Sequence, residues 1–160
     1  MDKPVENFQA LVWSDDLALG VKEIDTQHKR WIELVQAFQA AVAEGRSQDE
    51  VYRTLAEAVI YTENHFASEQ KVMERAGYPF LADHLIQHSL AWEQLHAFTT
   101  GNVPEEDIAD YLATFLPQWL MLHINSADRQ FARWLKERDS APMEPADAQL
   151  SGRVFPNIPV

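Results

Sequence analysis

The sequence predicts an all-α protein, an antiparallel four-helix bundle in up-down-up-down order. Apolar residues recur at helical spacing in four long segments, and short stretches with recognisable start and stop residues separate these segments. No segment alternates convincingly as a strand would. Helices joined by short loops lie antiparallel to their neighbours. A chain of 160 residues, 46% of them hydrophobic, is long enough to bury one core.

The ends of the first two helices are marked by capping residues. We expect the first helix to begin near Asp25 as the N-cap and to end before Gly45, since glycine favours a helix C-terminus. The second helix begins with a capping box, in which Ser47 and Glu50 satisfy each other's free backbone N–H groups. Gly77 is expected to end it.

The last two helices are expected on either side of a short loop. The third runs from about Leu81 to Gly101. The fourth opens at Pro104, because proline suits a first helical turn, and continues to about residue 138. The bundle domain is therefore predicted over 25–138.

Two flanking segments complete the chain. Residues 1–24 contain Trp13 and Leu17 and are too apolar for a free tail, so we expect them to pack across the bundle. Residues 139–160 hold half of the eight prolines and are predicted to be a non-helical, proline-rich extension.

Composition excludes several classes of function. The chain has no cysteine, so any metal must be held by nitrogen and oxygen. Its 13 basic and 25 acidic side chains give a formal net charge of -12, which would repel nucleic acid and anionic lipids. No stretch approaches the roughly 20 apolar residues of a membrane span, and residues 1–10 lack a secretion signal. We therefore expect a cytoplasmic protein that does not insert into a membrane.

Six histidines are the most informative residues, and they are His28, His65, His84, His88, His96 and His123. All except His96 fall on inward helical stripes. Residues four apart on a helix differ by only about 40° in direction and about 6 Å in height. His65 and Glu69 therefore share one face of the second helix, and His84 and His88 share one face of the third.

A metal explains these inward histidines better than a hydrogen-bonded core does. One inward histidine is usually an ordinary core residue, but here that interpretation must hold five times, and each unpaired buried group would cost several kcal/mol. The candidate ligands are His28, His65, Glu69, His84, His88, His123 and Asp128. Seven such donors are too many for one tetrahedral zinc, while magnesium and calcium prefer oxygen. They suit two iron ions bridged by carboxylates.

One spacing in this set requires a distorted helix. His123 and Asp128 are five residues apart, which on an ideal α-helix is a turn of about 140° away from a common face. A π-helical turn would bring them together, and such turns are frequent at functional sites.

Two other metal motifs match less well. The His84–His88 spacing is that of a zinc protease helix, but the glutamate that serves as general base is missing. Ferritin-like di-iron enzymes need two glutamate-x-x-histidine elements, and only Glu93–His96 matches. His96 is therefore expected near the surface or behind the ligands. The tryptophans at helical spacing are interpreted as core residues.

From Trp13 to about Trp134 the chain resembles the bacterial members of the hemerythrin family, the bacteriohemerythrins. The matching motifs are Gly20-Val21, Ile24-Asp25-x-x-His28, His65-Phe66-x-x-Glu69 followed by Met73, Gly77-Tyr78-Pro79, His84-x-x-x-His88 and Trp119-Leu120-x-x-His123-Ile124-x-x-x-Asp128. Gln70 departs from the family, which commonly has a second glutamate there, but that position is not a ligand.

The resemblance implies a centre of two irons joined by carboxylates and a further oxygen bridge. The implied ligands are His84, His88 and His123 for one iron, His28 and His65 for the other, and Glu69 and Asp128 for both. Dioxygen would bind reversibly at an open position of the iron with two histidines. Leu120 and Trp119 would form the apolar pocket around it.

We therefore expect a protein that is not an enzyme and that binds dioxygen for transport, delivery or storage. Five imidazoles with only two carboxylates make the site less negative than those of carboxylate-rich di-iron oxygenases, and hence less suited to oxidising substrates. The alternatives are oxygen or redox sensing, a di-iron enzyme acting on peroxide, nitric oxide or ferrous iron, and a metal-free interaction bundle that uses its apolar C-terminal tail. The sequence identifies no protein acceptor of oxygen.

Overall fold

The computed structural model describes residues 11–100 and 105–141, without side chains for 97–100, 105 and 106. Its helices are α1 (Lys22–Ala43), α2 (Gln48–Ala76), α3 (Leu81–Thr100), α4 (Glu105–His123) and α5 (Arg129–Ser140). A π-helical segment, Ile124–Asp128, joins α4 and α5 without a break. α1 and α3 each pack against both α2 and α4, which closes a ring of four helices. Over the described residues there is no strand, and the all-α four-helix bundle is confirmed.

Capping explains why the helices end where they do. The backbone N–H of Glu50 donates to Ser47 Oγ at 3.4 Å, as the capping box predicts. Gly77 ends α2 with a φ of 70°, a left-handed conformation that glycine adopts readily.

The predicted start of the first helix is wrong. α1 begins at Lys22, three residues before Asp25. The Asp25 carboxylate instead reaches back and accepts the backbone N–H groups of Leu19 and Gly20, at 2.8 and 3.0 Å. It therefore fixes the chain entering the helix, and the helix itself starts one turn earlier.

The described residues of the N-terminal segment pack against the bundle. Leu11 and Leu17 are buried, the latter in a short 3-10 turn. The Gln36 side chain donates to the Leu11 carbonyl, and the Arg129 guanidinium donates to the Asp16 carbonyl at 2.7 Å. These contacts tie the segment to α1 and to the start of α5.

The predicted C-terminal extension is described only at its beginning. Asp139 and Ser140 continue α5 as helix, which differs from the non-helical conformation expected from residue 139 onwards. The rest of the extension, from 142 to 160, lies outside the described residues. In the described part of the chain, no helix is both long enough and apolar enough to cross a lipid bilayer.

Two apolar clusters divide the core. The larger one includes Trp31, Phe66 and Leu120. The smaller one is formed by Ile24, Met73, Tyr78 and Phe131. Along α1, α2 and the α4–α5 stretch, His28, Glu69 and Asp128 lie between residues of the two clusters. The fold thus places a layer of buried histidines and carboxylates between two apolar clusters.

Candidate metal centre

The seven predicted ligands meet in this layer, all of them at most 5% exposed. They form two overlapping groups of donor atoms, and within each group the atoms lie within 4.8 Å of one another. The three-histidine group consists of Glu69, His84, His88, His123 and Asp128, and the two-histidine group consists of His28, His65, Glu69 and Asp128. The two carboxylates belong to both groups.

Local helix geometry delivers most of these side chains. α2 carries His65 and Glu69 one turn apart, and α3 carries His84 and His88 in the same way. The predicted π-helical turn between His123 and Asp128 is confirmed. Because a π turn closes from residue i to i+5, it returns Asp128 to the face of His123.

In the three-histidine group the ring nitrogens converge. His84 Nε2 and His88 Nε2 lie 3.1 and 3.2 Å from Glu69 Oε2. His88 Nε2 and His123 Nε2 face each other at 3.0 Å. Nitrogen lone pairs directed at a common point are what a metal ion requires.

The two-histidine group is joined to the first through the carboxylates. Asp128 places Oδ1 at 2.9 Å from His123 Nε2 and Oδ2 at 3.1 Å from His28 Nε2. Each of its oxygens thus serves a different group. Glu69 Oε2 lies 3.9 Å from His65 Nε2 as well as near the histidines of α3. The arrangement is that of two carboxylates shared between two metal positions.

Comparison with known proteins identifies the kind of centre. The family model described as Hemerythrin HHE cation binding domain matches residues 19–135. The chain belongs to the hemerythrin family. It is 38% identical to a bacteriohemerythrin of Stenotrophomonas maltophilia, over 79% of this chain and 82% of that protein. A bacteriohemerythrin of Pseudomonas paraeruginosa is 36% identical, over 74% and 76%.

The relatives also include a protein that is not a bacteriohemerythrin. A myohemerythrin of Riftia pachyptila is 27% identical over 75% of this chain and 89% of its own length. Hemerythrins are di-iron proteins that bind oxygen, so this chain is a di-iron, oxygen-binding protein at the level of its family.

The donor atoms fit two irons because the protein alone leaves them unsatisfied. Among the described residues, His28 Nε2, His65 Nε2, Glu69 Oε1 and both oxygens of Asp128 are buried without a hydrogen-bond partner. The close contacts of Asp128 with histidine nitrogens lack hydrogen-bond alignment. Each such atom costs about 1–3 kcal/mol of stability. Ligation of a cation removes this cost, and imidazole with carboxylate is a suitable donor set for iron.

The protonation states of three ligands also suit a metal. Burial lowers the pKa of His65 to about 4 and keeps its ring neutral. Burial alone would raise the pKa of Glu69, but its contacts with His84 and His88 lower it well below the usual value. Burial and the charge of Glu69 would likewise raise the pKa of Asp128, but its contacts with His123 and His28 lower it. Neutral imidazoles and ionised carboxylates are the forms that bind metal.

Aromatic rings line the hemerythrin centre. Phe66 stacks on His88 with centroids 3.8 Å apart, and Trp119 stacks on His123 at 4.5 Å. The Trp31 ring lies 4.9 Å from that of His65. Leu120, predicted with Trp119 as a pocket residue, is fully buried in the larger apolar cluster. The sequence identified Trp31 only as a core residue and Phe66 only as part of the His65-Phe66-x-x-Glu69 motif, although each lies within three positions of a candidate ligand.

Two polar residues complete the description of the site. His96 is exposed, packs parallel to Trp92, and belongs to neither group. Gln27, which the sequence did not single out, places its Oε1 atom 2.8 Å from His65 Nδ1. Its position directly before His28 was the one available signal.

Proposed function

We propose that this protein binds dioxygen reversibly at two irons and serves oxygen delivery or storage without acting as an enzyme. The observation that carries the proposal is the pair of overlapping donor groups that share Glu69 and Asp128 but differ by one histidine. In this proposal His84, His88 and His123 would hold the first iron, His28 and His65 would hold the second, and both carboxylates would be shared between them.

The unequal number of histidines supplies the reactive position. The three-histidine group offers its iron one more protein donor than the two-histidine group does. An open coordination position would therefore lie beside His28 and His65. When bound there, two ferrous irons would supply the two electrons needed to hold one dioxygen reversibly.

The protein's own contribution is to keep this position dry and moderately charged. Trp31 packs against His65, and Trp119 and Phe66 pack against each other and against Trp31, with centroids 5.6–6.1 Å apart. Water is retained only where polar partners hold it, so these rings oppose its entry. Five imidazoles with two carboxylates also leave the centre with little excess negative charge. Both features favour holding oxygen over activating it.

Rapid mixing of the fully reduced, iron-loaded protein with oxygen tests the proposal. We expect one stoichiometric optical change, its reversal when oxygen is removed, and its return when oxygen is restored. Turnover of peroxide, nitric oxide or ferrous iron at catalytic rates under the same conditions would instead establish an enzyme. A spectrum unaffected by oxygen would also contradict the proposal.

A further inference from the structure

A chain of hydrogen bonds runs from the surface to the back of His65. The Gln27 side chain contacts His65 Nδ1 through Oε1 at 2.8 Å and donates from Nε2 to Ser68 Oγ at 2.8 Å. The Ser68 hydroxyl donates to Glu23 Oε1 at 3.4 Å, and the Arg75 guanidinium donates to Glu23 Oε2 at 3.2 Å. This network of hydrogen bonds joins α1 to α2.

The Glu23 carboxylate at the outer end of this network determines which atom donates and which accepts in every bond. An ionised carboxylate only accepts hydrogen bonds, so the single Ser68 proton goes to Glu23. Ser68 Oγ must then accept from the Gln27 amide nitrogen. The amide oxygen is thereby turned towards His65, where it accepts a proton carried by Nδ1.

We propose that Gln27 is a positioning residue, which holds His65 in the tautomer protonated at Nδ1 and directs the Nε2 lone pair into the two-histidine group. In the opposite orientation the amide would donate to Nδ1, and the proton would sit on Nε2, where it blocks metal binding. The inference rests on the proposed di-iron centre and adds the residue that prepares one of its ligands. Such outer partners commonly change metal affinity by about 10–100-fold.

His65 is distinguished from other histidines of the centre by this partner. His28 Nδ1 and His88 Nδ1 are buried with no hydrogen-bond partner in the described structure. The two middle members of the chain also precede ligands directly, Gln27 before His28 and Ser68 before Glu69. The network thus forms part of the α1–α2 contact beside the two-histidine group.

The test compares variants of the iron-loaded, full-length protein. Gln27→Leu removes the acceptor, and Gln27→Glu keeps an acceptor for Nδ1–H. Gln39→Leu is the matched control. Gln39 is another α1 glutamine that joins two helices: its side chain donates to the Ala113 carbonyl, with 3.1 Å between the two atoms. It lies outside both donor groups. Two readouts are followed: iron release to a chelator, and the exchangeable N–H resonances of the ligand histidines in the paramagnetic protein.

In Gln27→Leu we expect one of the two irons to leave about 10–100-fold faster than in the parent. One histidine N–H resonance should also shift and exchange faster with solvent. Gln27→Glu should restore slow release, and Gln39→Leu should match the parent. If Gln27→Leu does not fold, Ser68→Ala replaces it and should accelerate the same release, because the amide loses its anchor.

Three results would overturn the inference: parental release and N–H spectra in the Gln27→Leu and Ser68→Ala variants, equal acceleration in Gln39→Leu, or no restoration by Gln27→Glu. A parent that binds no iron would overturn the proposed function as well. Failure of the Gln27 inference can therefore be told apart from failure of the proposed function, because in the first case the parent still holds two irons.

Discussion

The two halves of the metal centre are built by different means. The three-histidine group takes His84 and His88 from one face of α3, and His123 with Asp128 from one continuous helical stretch. The two-histidine group takes His28 from α1 and His65 from α2. The distance between these two imidazole rings therefore depends on how the two helices pack. Helix periodicity pairs ligands in both halves, but the two histidines of the second half come from different helices, which contacts such as the Gln27 network hold together. The proposed open position would lie in the half whose two histidines come from different helices.

The largest effect is expected from a residue common to both halves. Glu69 is fully buried and its carboxylate belongs to both groups. Glu69→Ala should therefore reduce the iron content from two per chain to close to none. Metal analysis of protein purified from iron-replete cells measures this. A variant that kept one firmly bound iron would show that the halves are independent of this carboxylate.

Removing a ligand from one half should separate the two irons. In His65→Ala the two-histidine group retains a single imidazole, while the three-histidine group keeps all five of its residues. We expect about one iron per chain and no optical response to oxygen. The measurement combines iron analysis with the spectrum under oxygen. Retention of both irons with normal oxygen binding would place the open position elsewhere.

In the metal-free protein one ligand of each half, His65 and His84, should titrate in opposite directions. Burial lowers the pKa of His65 from 6.5 to about 4, so the free energy of unfolding should fall as the pH drops between these values. Contact with Glu69 raises the pKa of His84 above 6.5 in spite of burial. Protonated His84 therefore contributes fully to the free energy of unfolding below pH 6.5. This contribution is lost as the pH rises through the pKa of His84 in the folded protein.

Nuclear magnetic resonance titration of the histidine ring protons in metal-free protein checks both signs. His84 should gain its proton above pH 6.5, and His65 should remain neutral until close to pH 4. Titration of both rings near 6.5 would contradict the electrostatic difference between His65 and His84.

A smaller effect is expected from Leu120, the leucine proposed to line the apolar oxygen pocket. Leu120→Ala and Leu120→Asn should keep both irons, since no ligand changes. In both variants the oxygenated form should decay to the oxidised form faster than in the parent. The decay should be fastest with asparagine, because its side chain offers water a hydrogen bond. Leu112→Ala is the control, because Leu112 is an equally buried leucine two turns away on α4. It should lose roughly 2–5 kcal/mol of stability without faster decay. Equal decay rates in all variants would remove Leu120 from the pocket.

The smallest effect is expected at His96. Its side chain is exposed and outside both groups, so His96→Ala should keep two irons and the parental oxygen spectrum. Iron analysis and optical titration are sufficient, and loss of either iron would require a different ligand set.

The same contrast explains what the sequence could reveal. The i,i+4 pair on α3 and the π turn before Asp128 follow from positions along one helix, and periodicity predicted both. Asp25 was misread because an aspartate can accept N–H groups from either chain direction, and here it faces back to Leu19 and Gly20. Gln27 was missed because its partner Ser68 is 41 residues away on another helix. Contacts between helices leave no period in the sequence.

The most direct test is a crystal structure of the iron-loaded, full-length protein with diffraction data above and below the iron absorption edge. Two anomalous peaks are expected, one within bonding distance of His84, His88 and His123, the other beside His28 and His65, and both in contact with Glu69 and Asp128. A single peak, or a second peak away from His28 and His65, would contradict a centre made of two donor groups that share their carboxylates.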